Sequence, residues 1–410
     1  MLTNPDTTTP AQAISRSPVT FIYLARALRD FGDGFVAVLL PVYLTAMGFG
    51  AFGVGVVSTL ALLGSALMNL GFGVLGAHVD QRKLLLAAAS LMVASGLAFA
   101  FSNAYAVILL IACVGTINPS SGSSNVFTSL EQAVLSRAIL DHLRTRLFAR
   151  YSLIGAMAGA LGALASGAPD FLISAGIGQA AALKAMFVLY ALFGLAGGIM
   201  YAFIPPQKPQ MAQEKVAALG PSRRMVFKMA ALFSIDSLGS GFAVQSLIIL
   251  WLFQRFDLSL ATAGLFFFWS GVASAFSFPV AAWLATRIGL VNTMVYTHIP
   301  SSLCLIFAAV APNLETALAL LLARAALSQM DVPTRASYVM AVVTPPERAA
   351  AASITSVSKS FAASISPVFG GALFAAGYEI WPMIICGLLK IFYDIALLWT
   401  FRHIKPPEEQ

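Results

Sequence analysis

Residues 34–79 read GFVAVLLPVYLTAMGFGAFGVGVVSTLALLGSALMNLGFGVLGAHV, 46 positions without Asp, Glu, Lys or Arg. A helix needs about 20 apolar residues to cross the hydrocarbon core of a bilayer. The stretch therefore holds two spans and a turn, and Met47-Gly48-Phe49-Gly50 supplies the turn. Residues 84–130 repeat the pattern over 47 positions, with Ser102-Asn103 as the turn. The composition agrees. Hydrophobic residues make up 59% of the 410 and charged residues 10%, against roughly 45–50% and 25% in soluble domains. Unbroken apolar runs exclude an outer-membrane barrel, whose strands are short and alternate. Cys113, Cys304 and Cys386 lie singly in apolar runs and offer neither a disulfide framework nor a metal pair.

Working outward gives an all-α membrane protein of twelve spans. They are expected near 19–46, 52–77, 83–102, 105–137, 144–168, 176–204, 226–254, 259–285, 290–311, 314–343, 347–376 and 380–402. Span 4 is too long for one straight helix, and Asn118-Pro119-Ser120-Ser121-Gly122 at its centre predicts a kink or break. Residues 1–17 are polar, with no charged region leading into an apolar core, and read as a tail. The long polar segment around Pro205–Arg224 leaves six spans on each side. The expected organisation is a cytosolic tail (1–18), a six-helix bundle (19–204), a linker (205–225), a second six-helix bundle (226–403) and a tail (404–410).

Loop charge sets the orientation. With a cytosolic N-terminus, sixteen Lys and Arg fall on the cytosolic side and only Lys184 and Arg255 opposite. The net charge of +7 is thus a signature of topology rather than of nucleic-acid binding. The halves echo each other. Gly32-Asp33-Gly34-Phe35 matches Gly239-Ser240-Gly241-Phe242, and Leu75-Gly76-Ala77-His78-Val79-Asp80 matches Leu284-Ala285-Thr286-Arg287-Ile288-Gly289. Internal symmetry of this kind marks repeat-built transporters, whose site lies between the halves near the midplane.

The stretch Gly73-Val74-Leu75-Gly76-Ala77-His78-Val79-Asp80-Gln81-Arg82-Lys83 resembles the loop 2–3 signature of the major facilitator superfamily, G-x-L-A-D-R-x-G-R-R/K. The Gly, the Leu and the basic pair match. Ala77 and Asp80 replace the usual Asp and Gly. The second copy keeps Leu284-Ala285, Arg287 and Gly289 but has Thr286 for the Asp. The resemblance implies two pseudo-symmetric six-helix bundles, alternating access, and a cytosolic gate in which Asp80 with Arg82 substitutes for the missing Asp. Pro367-Val368-Phe369-Gly370-Gly371 resembles the tail of an antiporter motif, although that motif belongs to span 5. Met330-Asp331-Val332-Pro333-Thr334-Arg335 resembles a bacterial branch of the superfamily of unknown substrate.

Ionisable groups at membrane depth are functional candidates. The spans enclose six acids (Asp30, Asp33, Glu131, Asp236, Asp331, Asp394) and six bases (Arg26, Arg29, Arg324, Arg335, Lys359, Lys390). Residues four apart share a helix face, so Arg26–Asp30, Arg29–Asp33, Asp331–Arg335 and Lys390–Asp394 are expected pairs. Arg26 and Arg29 can alternatively snorkel to the interface. Glu131, Asp236, Arg324 and Lys359 lack such a partner. Glu131 is expected in a gate bridge with Arg324, Arg335 or the Arg144–Arg150 cluster, or else in proton coupling. Asp236 either bridges to Arg29 or Lys359 or carries the coupling proton.

With no base on its own helix face, Asp236 is the first coupling candidate, ahead of Asp33, with Asp30 and Glu131 behind. Arg29, Asn125, Gln245, Trp269, His298, Tyr338 and Lys359 are candidates for the cavity lining. Asp80, Arg82, Asp331 and Arg335 are candidates for the gate. Each neutral polar group can equally tie two helices together. No Walker, HExxH or GxSxG motif occurs, so neither ATP drive nor an enzyme is expected, and no cofactor is implied. The expected function is secondary transport of a small organic, amphipathic or drug-like solute by a monomer in the inner (plasma) membrane. Proton-coupled efflux is the leading form. Uptake by symport, lysolipid flipping and a non-transporting sensor are the alternatives. Tags at both chain ends should report from the cytosol, and fusions placing either end outside would contradict the charge bias.

Overall fold

Each pause in the apolar pattern becomes a reversal of the chain. The computed structural model describes residues 16–75, 79–119, 126–138, 141–206, 220–344 and 347–402. Among them are sixteen α-helices and no strand, and the helices join into twelve membrane-crossing runs. The first half comprises α1 (Arg16–Ala46), α2 (Ala51–Leu75), α3 (Gln81–Phe101), α4 (Tyr105–Val114) with α5 (Val126–Ala138), α6 (Asp141–Ala165) with α7 (Ala168–Ser174), and α8 (Gln179–Ala202). The second comprises α9 (Arg223–Phe242) with α10 (Gln245–Phe256), α11 (Leu260–Ile288), α12 (Leu290–Ala309), α13 (Leu314–Ser328) with α14 (Asp331–Val342), α15 (Arg348–Ala375) and α16 (Trp381–Phe401). The tails and most of the expected linker lie outside the described residues.

Four runs are interrupted. The break in run 4 falls where Asn118-Pro119 predicts it. Run 5 is re-started by Pro169 at the N-terminal end of α7, where a missing N–H does no harm. Run 10 stops at Gln329-Met330, and Pro333 sits in the first turn of α14. Run 7, expected as one helix, stops at Ala243-Val244. Broken backbone at membrane depth must find its hydrogen bonds within the protein. Here Ser246 N–H donates to the Pro119 carbonyl at 3.2 Å, so the breaks of runs 4 and 7 satisfy each other across the two halves.

Because the runs alternate in direction, the odd-numbered connections share one face of the molecule, termed distal. The even-numbered connections share the proximal face with residues 16 and 402. The halves meet through α2 on α15 and α6 on α11. Small residues allow this approach: a Cβ on Gly55 would stand 2.9 Å from the Gly371 Cα, and one on Gly264 would stand 2.8 Å from the Ser166 hydroxyl. Polar links reinforce the seam, with Ser58 to Ser246 at 2.9 Å and the Val368 N–H donating to the Thr59 hydroxyl at 2.9 Å. All these positions lie in the distal half. There the segments 32–41 of α1 and 246–252 of α10 are buried throughout.

On the proximal face Glu347 fastens the entrance of the second half. Its carboxylate accepts from the Gly220 N–H, from the Ser222 N–H at 3.2 Å and from the Thr344 hydroxyl at 2.7 Å. Ser222 is the N-cap of α9, so the acid also sits at the positive end of that helix. Hydrogen bonds from Ser222, Thr344 and Gly220 hold the Glu347 carboxyl at about 2, below its ordinary 4.5. A lowered folded-state value adds stability above the unfolded value and loses it as the pH falls through the folded one. Glu347→Gln should therefore lower the melting temperature by a constant amount from pH 5 to 8. The gap to wild type should close between pH 4.5 and 2. A gap that persists unchanged at the acid end would contradict this assignment.

Candidate functional site

The first half gathers its buried charges around α1. Arg26 Nε lies 2.6 Å from Asp30, and its Nη1 donates to the Thr128 hydroxyl at 2.7 Å and the Tyr151 hydroxyl at 2.9 Å. Arg29 reaches Asp30 at 3.0 Å and Glu131 of α5 at 2.9 Å. Glu131 is fully buried and also accepts from the hydroxyls of Tyr151 in α6 and Tyr201 in α8. Asp33 accepts from Tyr190 of α8 at 3.1 Å, and Tyr190 in turn meets the Thr116 hydroxyl at 3.3 Å. Gly155 makes the room: a Cβ there would stand 2.6 Å from the Arg26 guanidinium. Two guanidiniums and three carboxylates thus share the centre of this half.

The second half repeats the plan around α9. Asp236 receives Lys390 Nζ of α16 on one oxygen at 2.7 Å and Arg335 of α14 on the other at 2.9 Å. Arg335 also pairs with Asp331 and lies 5.0 Å over the Phe233 ring. His298 of α12 meets both oxygens of Asp394 through Nδ1 at 3.1 Å, while its Nε2 stands 3.3 Å from Lys390 Nζ. His298 Nε2 also stands 3.8 Å from Asp236, so the ring lies between two carboxylates of the cluster. Lys359 of α15 is half-buried. Its helix packs on α9, which carries Asp236, and on α14, which carries Asp331 and Arg335.

These positions sort the expectations from the sequence. Arg26–Asp30 and Asp331–Arg335 pair as helical spacing predicts. Arg29 meets Asp30 of its own helix and Glu131 of α5, while Lys390 meets Asp236 and Asp394 meets His298. Arg26 and Arg29 do not snorkel; they are 5% and 3% exposed. Glu131 bridges to Arg29 and, among the described residues, not to Arg324 or Arg335; the side chains of Arg144 and Arg146 lie outside the described residues. Asp236 is held by Lys390 and Arg335 from other helices, not by Arg29 or Lys359, so the inference from its own helix that it is the least constrained carboxylate is corrected. Asp331 and Arg335, expected at a gate, belong to this buried cluster.

Asp80 caps α3 through the Arg82 N–H at 2.9 Å, and the Arg82 guanidinium donates to the Ala202 carbonyl at the end of α8 at 2.7 Å. Both contacts stay within the first half. Gln245 opens α10 at the break in run 7. Tyr338 is fully buried, edge-on to Phe401. Trp269 is 53% exposed and packs edge-on against Phe268. Asn125 lies outside the described residues. Tyr151, Tyr190 and Tyr201 escaped the sequence reading. Their only signal was a phenol placed well inside an apolar run, where the hydroxyl needs a partner.

Helical halves joined by broken runs, each with ionisable groups at its centre, define a polytopic membrane transporter rather than an enzyme. The profile of the Major Facilitator Superfamily matches residues 22–327 and 229–410, and the chain belongs to that superfamily. Among curated proteins it is similar to the uncharacterized membrane protein YJR124C of Saccharomyces cerevisiae, 24% identical over 419 residues and covering 93% of this chain and 94% of that one. Among solved structures it is similar to the nucleoside transporter NupG, with a TM-score of 0.72 and 14% identity, covering 94% of this chain and 99% of that one. The D-xylose–proton symporter gives a TM-score of 0.72 at 16% identity, covering 96% and 98%. A bacterial homolog of the human lysosomal transporter Spinster, inward-facing and unoccupied, gives 0.72 at 12% identity, covering 97% and 100%. At these identities the solved structures speak for the fold alone.

Removing one partner of a buried ion pair costs about 3–5 kcal/mol because the other charge is stranded. Glu131→Gln should therefore destabilise the purified protein by about 3 kcal/mol, read as a fall in melting temperature. A loss below about 1 kcal/mol would mean that Arg29 is satisfied without Glu131.

Proposed function

We propose that this protein is a proton-coupled secondary transporter of a small organic solute, working as a monomer by alternating access between its halves. In this reading both termini are cytosolic and the membrane is the inner (plasma) membrane, as the sixteen-to-two loop charge bias supports. The bundle limits at 19–204 and 226–403 are part of the same proposal. So is descent from a bacterial branch, although the similar curated protein comes from yeast.

The observation that carries the reading is the charge balance around α1. Two guanidiniums face three carboxylates, and Asp33 accepts a hydrogen bond from the Tyr190 hydroxyl. One proton on one of the three carboxylates brings this half to neutrality. Asp30 and Glu131 each receive a guanidinium; Asp33 lies on the same helix as Asp30, accepts from the Tyr190 hydroxyl, and is in this reading the group that exchanges the proton. Asp236, with two cations on it, serves better as a fixed anchor for α14 and α16. Efflux of an amphipathic solute remains one form of this transport. Uptake with the proton is the other, and the charge distribution between the halves bears on that choice.

Asp33→Asn should remove the dependence of transport on a proton gradient in proteoliposomes while leaving the melting temperature within a few degrees of wild type. Asp236→Asn should instead destabilise the protein, since it frees Lys390 and Arg335. If Asp33→Asn still moves solute against its gradient, the coupling proton is not on Asp33.

A further inference from the structure

The six acids and six bases at membrane depth balance in the whole chain but not in each half. The first half holds Arg26 and Arg29 against Asp30, Asp33 and Glu131. The second holds Arg324, Arg335, Lys359 and Lys390 against Asp236, Asp331 and Asp394. One half is short of one positive charge and the other of one negative charge. An uncompensated charge at this depth is costly.

Two cations of the second half have no hydrogen bond or ion pair through their side chains among the described residues: Arg324 and Lys359. Arg324 is half-buried on α13, which packs on α11 and α12 of its own half. Lys359 is placed differently. Its helix, α15, packs on α9 of its own half and on α2 of the other, so it runs along the seam between them. The stripe of Ala363, Ser366 and Gly370 on α15 faces α9, with the Ser366 hydroxyl donating to the Leu238 carbonyl. Lys359 continues that stripe one turn towards the proximal face. It is half-buried where Arg335 and Lys390 are nearly enclosed.

We propose that Lys359, seconded by Arg335, forms an anion subsite that receives the carboxylate or phosphate group of a small organic anion. The inference rests on the transporter reading above and names its substrate class. Asp236 and Asp331 already occupy part of the Arg335 fork, so the bound anion supplies the missing counter-charge chiefly to Lys359. A proton in the first half and an anion in the second can be held together, and together they cancel both surpluses. The cycle this favours is symport of the anion with a proton, in place of exchange.

The test uses the purified full-length protein and matched probes: benzoate and phenyl phosphate as anions, benzylammonium as a cation and benzyl alcohol as the neutral analogue. The expected result is a saturable rise in melting temperature with an anion only. It should weaken at least tenfold in apparent affinity in Lys359→Gln and be retained in Lys359→Arg. Size-exclusion profiles and unliganded melting temperatures establish that each variant is folded. Stabilisation by benzylammonium, an anion effect that survives Lys359→Gln, or no effect from either anion would overturn the subsite. Proton uptake on anion binding, followed with a pH indicator, separates the two levels. Anion binding without proton uptake leaves the subsite standing and removes the coupling.

Discussion

A guanidinium at the middle of a bilayer must meet a carboxylate, and the contact of Arg29 with Glu131 at 2.9 Å meets that requirement across two helices. Much of the first half is arranged to permit it. Run 4 breaks ahead of α5, Gly155 leaves space beside Arg26 and Asp30, and tyrosines of α6 and α8 complete the shell of Glu131. The second half solves the same problem with different chemistry. There an aspartate on α9 holds a lysine and an arginine from α16 and α14, and a histidine–aspartate pair backs the lysine. Each half is therefore tied together internally by charge, while the seam between them is made of small side chains and hydroxyls. Strong bonds within and weak packing between are what two bodies that rock against each other require.

The unevenness of that seam matters for mechanism. The links described at atomic detail between the halves, from Gly55–Gly371 to Ala261–Asp170, lie in the distal half. Ties described on the proximal face, among them Tyr23 on Leu147, Arg82 on Ala202 and Glu347 on Gly220, each stay within one half. The backbone breaks that meet at Pro119 and Ser246 lie roughly 15 Å from the distal ends of their runs, at 1.5 Å per residue.

The twelve runs were legible because apolar length is a one-dimensional signal, and residues 34–79 carry it without ambiguity. The break in run 4 was legible for the same reason, since Pro119 is a local cause. The break in run 7 was not, because Ala243-Val244 contains no residue that forbids a helix; the cause is the partner backbone across the seam. Helical spacing found the pairs that close within one turn, Arg26–Asp30 and Asp331–Arg335. It missed Glu131 on Arg29 and Asp236 on Lys390, because long side chains reach other helices, and which helix lies alongside is a three-dimensional fact. Asp236 looked unaccompanied in the chain for that reason alone. The equality of six acids and six bases was visible in the sequence, but its division into two unequal halves emerged only once each charge had a place.

The central claim is that two internally rigid halves rock about a site that protons help to control. Pulsed electron resonance on spin-label pairs across the seam tests it without knowledge of the solute. One pair, at Ala46 and Ala376, reports on the distal face; the other, at Lys83 and Arg287, reports on the proximal face. The account predicts that lowering the pH from 8 to 5 in lipid nanodiscs changes the two distances in opposite directions. Distances that stay fixed, or that lengthen and shorten together, would contradict it.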